Sequence, residues 1–321
     1  MRTLLSVIVF PLIAGVFAAC EPGPHRSEVA EGYVTAEDGV RLFYRSVGEG
    51  SDVLVMPVAL YLQDALLQLG VGRRVIFYDP RNRGRSDAAD LGSISLDRQV
   101  ADLEVLRKEL GIGRMALLGW SGLGMEMAVY TIRYPQHVSR LIQVSAVPPA
   151  AAIMEEFGDA RQSSVDQDAI DELNRRADEG VFDGRPEEFC RRYNELTLPV
   201  NFVNPELVDR VPDVCVHRNE WPENLWPYFG ALLPSFGDYD WREDLKSLHV
   251  PRLIIHGRED GIPLAGAYAW AKGYPEARLL VLSPSGHFPF IEQPAEFFAA
   301  VERFLDGDWP ASAMLVPEQR E

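Results

Sequence analysis

The run MALLGWSGLGMEM, residues 115–127, ends an apolar stretch on a serine that has a glycine two positions before it and another directly after it. A serine hydroxyl is a weak nucleophile until a neighbouring base takes its proton. Ser121 follows directly on the β-rich MALLGW and precedes a segment, 125–133, that can be helical. On so sharp a strand-to-helix turn the hydroxyl is exposed and a helix N-terminus lies beneath it. The turn brings the residues two before and two after the serine close together. Gly119 meets that need; Leu123 is larger than the position asks, but Gly122 and Gly124 on either side let the turn seat it on the outer side, and Leu123→Gly is expected to relax the turn and leave activity equal or higher. Two later loops supply the missing partners. IIHGREDGIP carries Asp260 and LLVLSPSGHFPFIEQP carries His287, each just past the end of a β-rich run. His287 is expected to act as the base, with Asp260 fixing the imidazole tautomer and stabilising the imidazolium. Singly, His287 reads as a surface-loop histidine and Asp260 as a turn residue; only the set points to catalysis.

The elements that must hold these residues follow from periodicity. From residue 32 onward short β-rich runs alternate with helix-period segments, the pattern of a mostly parallel sheet covered by helices. Strands are expected from Val40, Asp52, Arg73, Met115, Ser139, Pro251 and Ala277. Leu96, Val100, Leu103, Leu106 and Leu110 recur at three- and four-residue spacing, so one face of a helix packs on the sheet, with Ser95 able to cap it. The alternation breaks over 148–247, which is acidic, ends rich in aromatic residues and reads as short helices. The expected organisation is an α/β core of 32–147 and 248–310, a helical cap of 148–247 inserted before the last strands, and a tail of 311–321.

Four fragments, YDPRNRGRSD, GWSGLGMEMAVYTIRYPQHVSRL, HGREDGIP and SGHFPFIEQP, resemble in order and spacing the α/β-hydrolase superfamily, from about Gly32 to Leu305. The resemblance implies a serine hydrolase of esterase or aminopeptidase type with the triad Ser121, Asp260 and His287. It also implies an oxyanion hole of backbone N–H groups: Gly122 after the nucleophile, and Ala59 or Leu60 after the third strand. Losing one such donor costs on the order of 3 kcal/mol. At that strand the chain departs from the family, carrying MPVALYL where His-Gly is usual. The segments 185–199, 214–226 and 238–245 are reminiscent of proline iminopeptidases, in which cap carboxylates hold the substrate's free amino terminus. Glu220 and Glu223 are the positions this implies, against a reading as solvated surface glutamates. Trp120 is expected to pack or line the pocket, His256 to be structural, and Asp79, Arg81, Arg83 and Arg85 to tie their own loop together.

With 31 basic and 48 acidic residues the chain carries a formal charge of −17, which argues against a nucleic-acid partner. The six histidines are scattered without ligand spacing, so no metal is implied, and no motif calls for an organic cofactor. The expected partner is a small ester or short peptide. At the N-terminus, Arg2, an uncharged apolar run and Phe17-Ala18-Ala19-Cys20 read as a secretory signal of residues 1–19. The last four resemble a bacterial lipobox, with lipid on Cys20, a tether over 20–31 and the membrane met only through that anchor; cleavage after Ala18 is the alternative. An exported chain keeps Cys190 and Cys215 as an even pair, bridged or as two buried thiols. The competing function is a non-catalytic small-ligand-binding protein of the same fold, favoured by MPVAL and Leu123 and opposed by the intact triad.

Overall fold

The computed structural model describes residues 29–57, 59–157 and 165–318. The signal segment, Cys20 and most of the expected tether lie outside the described residues. Eight strands form one sheet: β1 (Val29–Thr35), β2 (Arg41–Val47), β3 (Val53–Pro57), β4 (Arg74–Tyr78), β5 (Met115–Trp120), β6 (Val138–Val144), β7 (Arg252–Gly257) and β8 (Ala277–Leu282). Their order is β1-β2-β4-β3-β5-β6-β7-β8, parallel from β4 to β8 and antiparallel at β1 and β2. Central strands of a parallel sheet are covered on both faces and read as unbroken apolar runs. Accordingly, every residue of β5 and β7 is buried.

Helices α1 (Ala59–Leu66), α2 (Leu96–Glu109) and α3 (Gly122–Arg133) follow β3, β4 and β5. Beyond the cap come α9 (Leu264–Ala271), α10 (Pro289–Glu292) and α11 (Pro294–Leu305). The core on one face of the sheet joins Leu96 to Leu106 of α2, Met125 to Tyr130 of α3 and Trp270 of α9. On the other face Leu62 and Leu66 of α1 meet Phe297 and Phe304 of α11. In α2 the expected face is buried at Leu96, Val100, Leu103 and Leu106, and the Ser95 side chain accepts from Arg98 N–H as an N-cap.

Two expected boundaries shift. Val29–Glu31, read as tether, belong to β1 and pair with Val47, Ser46 and Arg45. This is an edge strand whose one fully buried side chain is Val34, so it lacks the apolar pattern that reveals a strand. At the other end, 311–318 is no loose tail. Met314 pairs with Leu279 of the outer strand β8, and Val316 is buried. An edge strand left uncovered presents unpaired backbone groups, and the returning chain covers some of them.

Between β6 and β7, among the described residues, lie five helices: α4 (Ala151–Phe157), α5 (Gln167–Asp178), α6 (Pro186–Thr197), α7 (Pro222–Leu232) and α8 (Arg242–Lys246). Four short 3₁₀ segments join α6 to α7, and one joins α7 to α8. Cys190 of α6 is bonded to Cys215, 25 residues on. Closing a loop of that length removes chain entropy from the unfolded state, worth roughly 3 kcal/mol in that account. Replacing both cysteines by serine is therefore expected to lower the unfolding free energy by about that amount, seen in urea titration without reductant; an unchanged midpoint would contradict it.

Candidate functional site

The residue after β5 carries the backbone strain. Ser121 has φ +60° and ψ −133°, a conformation that non-glycine residues rarely adopt. It is held there from three sides: its N–H donates to Val144 O at 2.9 Å, and its carbonyl accepts from Gly124 N–H at 3.0 Å and Val147 N–H at 3.2 Å. A Cβ on Gly119 would lie 2.4 Å from Leu123 O, and one on Gly124 would lie 2.7 Å from the Ala146 side chain. The turn thus demands small residues two before and three after the serine, and Leu123 sits outside that constraint. Its side chain points away from the turn into a cluster with Cys190, Cys215 and Val214, flanked by Tyr61 and Trp221.

This corrects the expectation for Leu123: there is no crowding for a glycine to relieve. Leu123→Gly removes a buried side chain, 9% exposed, from the contact between turn and cap. It is expected to destabilise by about 3 kcal/mol, measured by urea unfolding, with no gain in activity.

The loops after β7 and β8 bring the other two residues to the serine. His287 Nε2 lies 3.0 Å from Ser121 Oγ, and His287 Nδ1 lies 3.0 Å from each Asp260 oxygen. Burial disfavours the Asp260 carboxylate, yet the His287 imidazole and its hydrogen bond, with His256 and the Ile262 N–H, outweigh burial and hold it at about 2. His256 is fully buried, which keeps it neutral, and it donates from Nε2 to Ile262 O at 3.0 Å, bracing the loop that carries Asp260.

The histidine loop is fixed from several directions. Gly286 N–H and Val203 N–H donate to Glu292 at 2.6 and 2.7 Å, Ser285 N–H donates to Glu259 at 2.8 Å, and His287 N–H donates to Asn201 O at 2.8 Å. Trp120 donates from its indole N–H to His287 O at 2.8 Å, and its ring packs on His287 and Phe288. It therefore braces the histidine as well as lining the cavity.

Ser121 and His287 open on a cavity of about 670 Å³ between core and cap, within the size range of small-molecule sites. Its walls are mainly apolar, with Leu123, Val147, Leu225, Phe229, Leu232 and Phe288 among them. Gly122 opens α3 and lines the cavity, so its N–H is one of those a helix start leaves without an intrahelical acceptor. α1 begins at Ala59 beyond the end of β3, and its first turn reaches the cavity through Tyr61. Ala59 and Leu60 stand at that helix start, where such N–H groups lie.

Of the two cap glutamates, Glu220 is placed otherwise than either reading expected, and Glu223 lies at the surface as the solvated reading has it. Glu220, 2% exposed, accepts from Arg83 Nε and Nη2 at 3.0 and 2.9 Å and from Gly84 N–H at 2.9 Å. It is neither a solvated surface acid nor one lining the cavity. Glu223 is exposed beside a separate hollow of the cap, with Trp221 and Trp226. The loop arginines reach further than their own loop, Arg83 to the cap and Arg81 to Asp102 and Asp38. Sequence reasoning passed over Glu126, which lines the cavity; the signal is one acid inside the apolar start of α3. Among the described residues no group of three or more His, Cys, Asp or Glu is placed to hold a metal ion.

Known proteins similar to this chain are numerous. A proline iminopeptidase of Heyndrickxia coagulans is 27% identical over 290 residues, which covers 86% of this chain and 98% of that protein. A bifunctional esterase/perhydrolase of Acinetobacter calcoaceticus is 28% identical over 243 residues, 72% of this chain and 83% of that one. Among solved structures, the proline iminopeptidase of Mycobacterium smegmatis superposes with a TM-score of 0.64 at 20% identity, over 86% of this chain and 98% of that chain. At that identity the likeness speaks for the fold alone. The sequence model described as alpha/beta hydrolase fold matches residues 50–294, and with the sheet order and the strained turn after β5 the chain belongs to the alpha/beta hydrolase fold family.

Proposed function

We propose that the protein is a serine hydrolase that cleaves a carboxylic ester or amide of a small, largely apolar substrate through an acyl-enzyme on Ser121. The observation that carries this is the run of 3.0 Å contacts from Asp260 through His287 to the Ser121 hydroxyl at the wall of an apolar cavity. Ser121 Oγ attacks the carbonyl carbon as its proton passes to His287 Nε2, and the imidazolium is stabilised by Asp260. Charge developing on the carbonyl oxygen is met by the N–H of Gly122 and that of Ala59 or Leu60. His287 then returns the proton to the leaving alcohol or amine. Water attacks the acyl group with His287 again as base, releasing the acid and restoring the serine.

An ester is the better fit of the two bonds. Glu220 is committed to Arg83, and neither it nor Glu223 is among the residues lining the cavity, which leaves the cap positions suggested for holding a free amino terminus without a part in it. A fluorophosphonate probe tests the reading. It is expected to label the wild-type protein at Ser121, as mapped by peptide mass; folded protein that takes no label and hydrolyses no ester or aminoacyl amide would leave the binding-protein reading in its place.

The same proposal extends to location: export, with lipid on Cys20. The Cys190–Cys215 bond supports it, since disulfides persist in oxidising compartments. Intact mass of the membrane fraction tests it, and an unmodified N-terminus at Ala19 would count against it.

A further inference from the structure

Glu126 has no part in the mechanism above, yet it lines the same cavity as Ser121, five positions along the chain. It is 3% exposed, and among the described residues its carboxyl forms no hydrogen bond or ion pair. A buried carboxyl without a partner costs free energy unless something that enters the cavity satisfies it. Its charged and titratable neighbours are Arg83 from the loop after β4, Tyr78 of β4 and Tyr228 of α7. Arg83 is already engaged by both oxygens of Glu220, and the Tyr228 hydroxyl accepts from Gln99 Nε2 at 2.7 Å.

The chemistry of the missing partner follows from what surrounds it. Arg83 is the one cation among the lining residues, and since it faces Glu220, an anionic group would enter without a counter-ion. A cationic group would require Glu126 ionised and two charges drawn from water into walls of Leu225, Phe229 and Leu232, at several kcal/mol per ion before they attract each other. Burial favours the neutral carboxyl and pushes its pKa up to about 8. A neutral carboxyl offers one O–H donor and one carbonyl acceptor on a single edge. Hydroxyl and carboxamide groups complement that edge with no charge desolvated.

Resting on the serine-hydrolase reading, we propose that Glu126 is the specificity-determining residue of this cavity. The substrate then carries an uncharged hydroxyl or carboxamide on the part that lies beside it. A site built around a buried hydrogen-bonding group discriminates against analogues that leave that group unpaired.

The test uses p-nitrophenyl esters with acyl chains of equal length ending in methyl, hydroxyl, carboxamide, ammonium or carboxylate. Wild type, Glu126→Gln and Glu126→Leu are compared by the kcat/KM ratios within each protein. The wild type is expected to prefer the hydroxyl or carboxamide ester over the methyl one by about tenfold or more, the worth of one well-placed hydrogen bond. Glu126→Gln, which keeps a donor and an acceptor, should retain most of that preference. Glu126→Leu should bring it to about one. The corresponding methyl ketones, titrated by isothermal calorimetry, read the same preference without turnover and keep it separate from the serine-hydrolase reading, which the fluorophosphonate label decides. A wild type that favours the ammonium or methyl compound in both assays, or an unchanged preference in Glu126→Leu, would overturn the proposal.

Discussion

Alanine at Ser121 or at His287 is expected to lower kcat for an activated ester by about 10⁴-fold or more, and alanine at both together should be hardly worse than either alone. The non-additivity follows from geometry. With the serine gone, the base has no proton to take; with the histidine gone, the hydroxyl stays protonated, so the second loss removes nothing that still works. Asp260→Asn should cost somewhat less, since it leaves a nucleophile and a base but loses control of the tautomer. Both carboxylate oxygens sit 3.0 Å from Nδ1, so the amide can still approach it, with an N–H facing the ring in one orientation. Steady-state kinetics of the four variants decides. A double mutant whose loss equals the product of the single losses would show that the residues do not act as one unit.

The second large effect concerns stability. Glu220→Gln leaves the Arg83 guanidinium buried beside an amide, and losing one member of a buried pair costs about 3–5 kcal/mol. Arg83→Met alone should cost a similar amount, stranding the carboxylate against Gly84. The double variant Arg83→Met with Glu220→Leu should recover much of the loss, because apolar residues of similar volume can replace a buried ion pair at little cost. Urea unfolding of the three variants measures this. Single variants within about 1 kcal/mol of wild type would mean that the pair carries little of the cap's attachment.

The residues of the candidate site were readable in the chain because a parallel sheet places chemistry at the ends of its strands. Ser121, Asp260 and His287 each follow an apolar run that is unmistakable, β5, β7 or β8. The helix α2 was readable for a similar reason, its buried positions recurring at helical spacing. What could not be read were pairings across long separations. Nothing near Glu220 in the sequence announces Arg83, and nothing near Met314 announces Leu279. Leu123 was misjudged because the tightness of the turn lies at Gly119 and Gly124. Its size is explained only by a disulfide cluster contributed by a segment nearly 70 to 90 positions further on.

The cap is fastened to the core at the Arg83–Glu220 pair, from His287 N–H to Asn201 O, from Gln99 to the Tyr228 hydroxyl and from Leu96 N–H to the Ser235 hydroxyl. Lifting it as a whole would break these together, and would release the backbone of His287. The cap and the Ser121–His287 contact therefore answer to one set of restraints, and whatever loosens the one is expected to loosen the other.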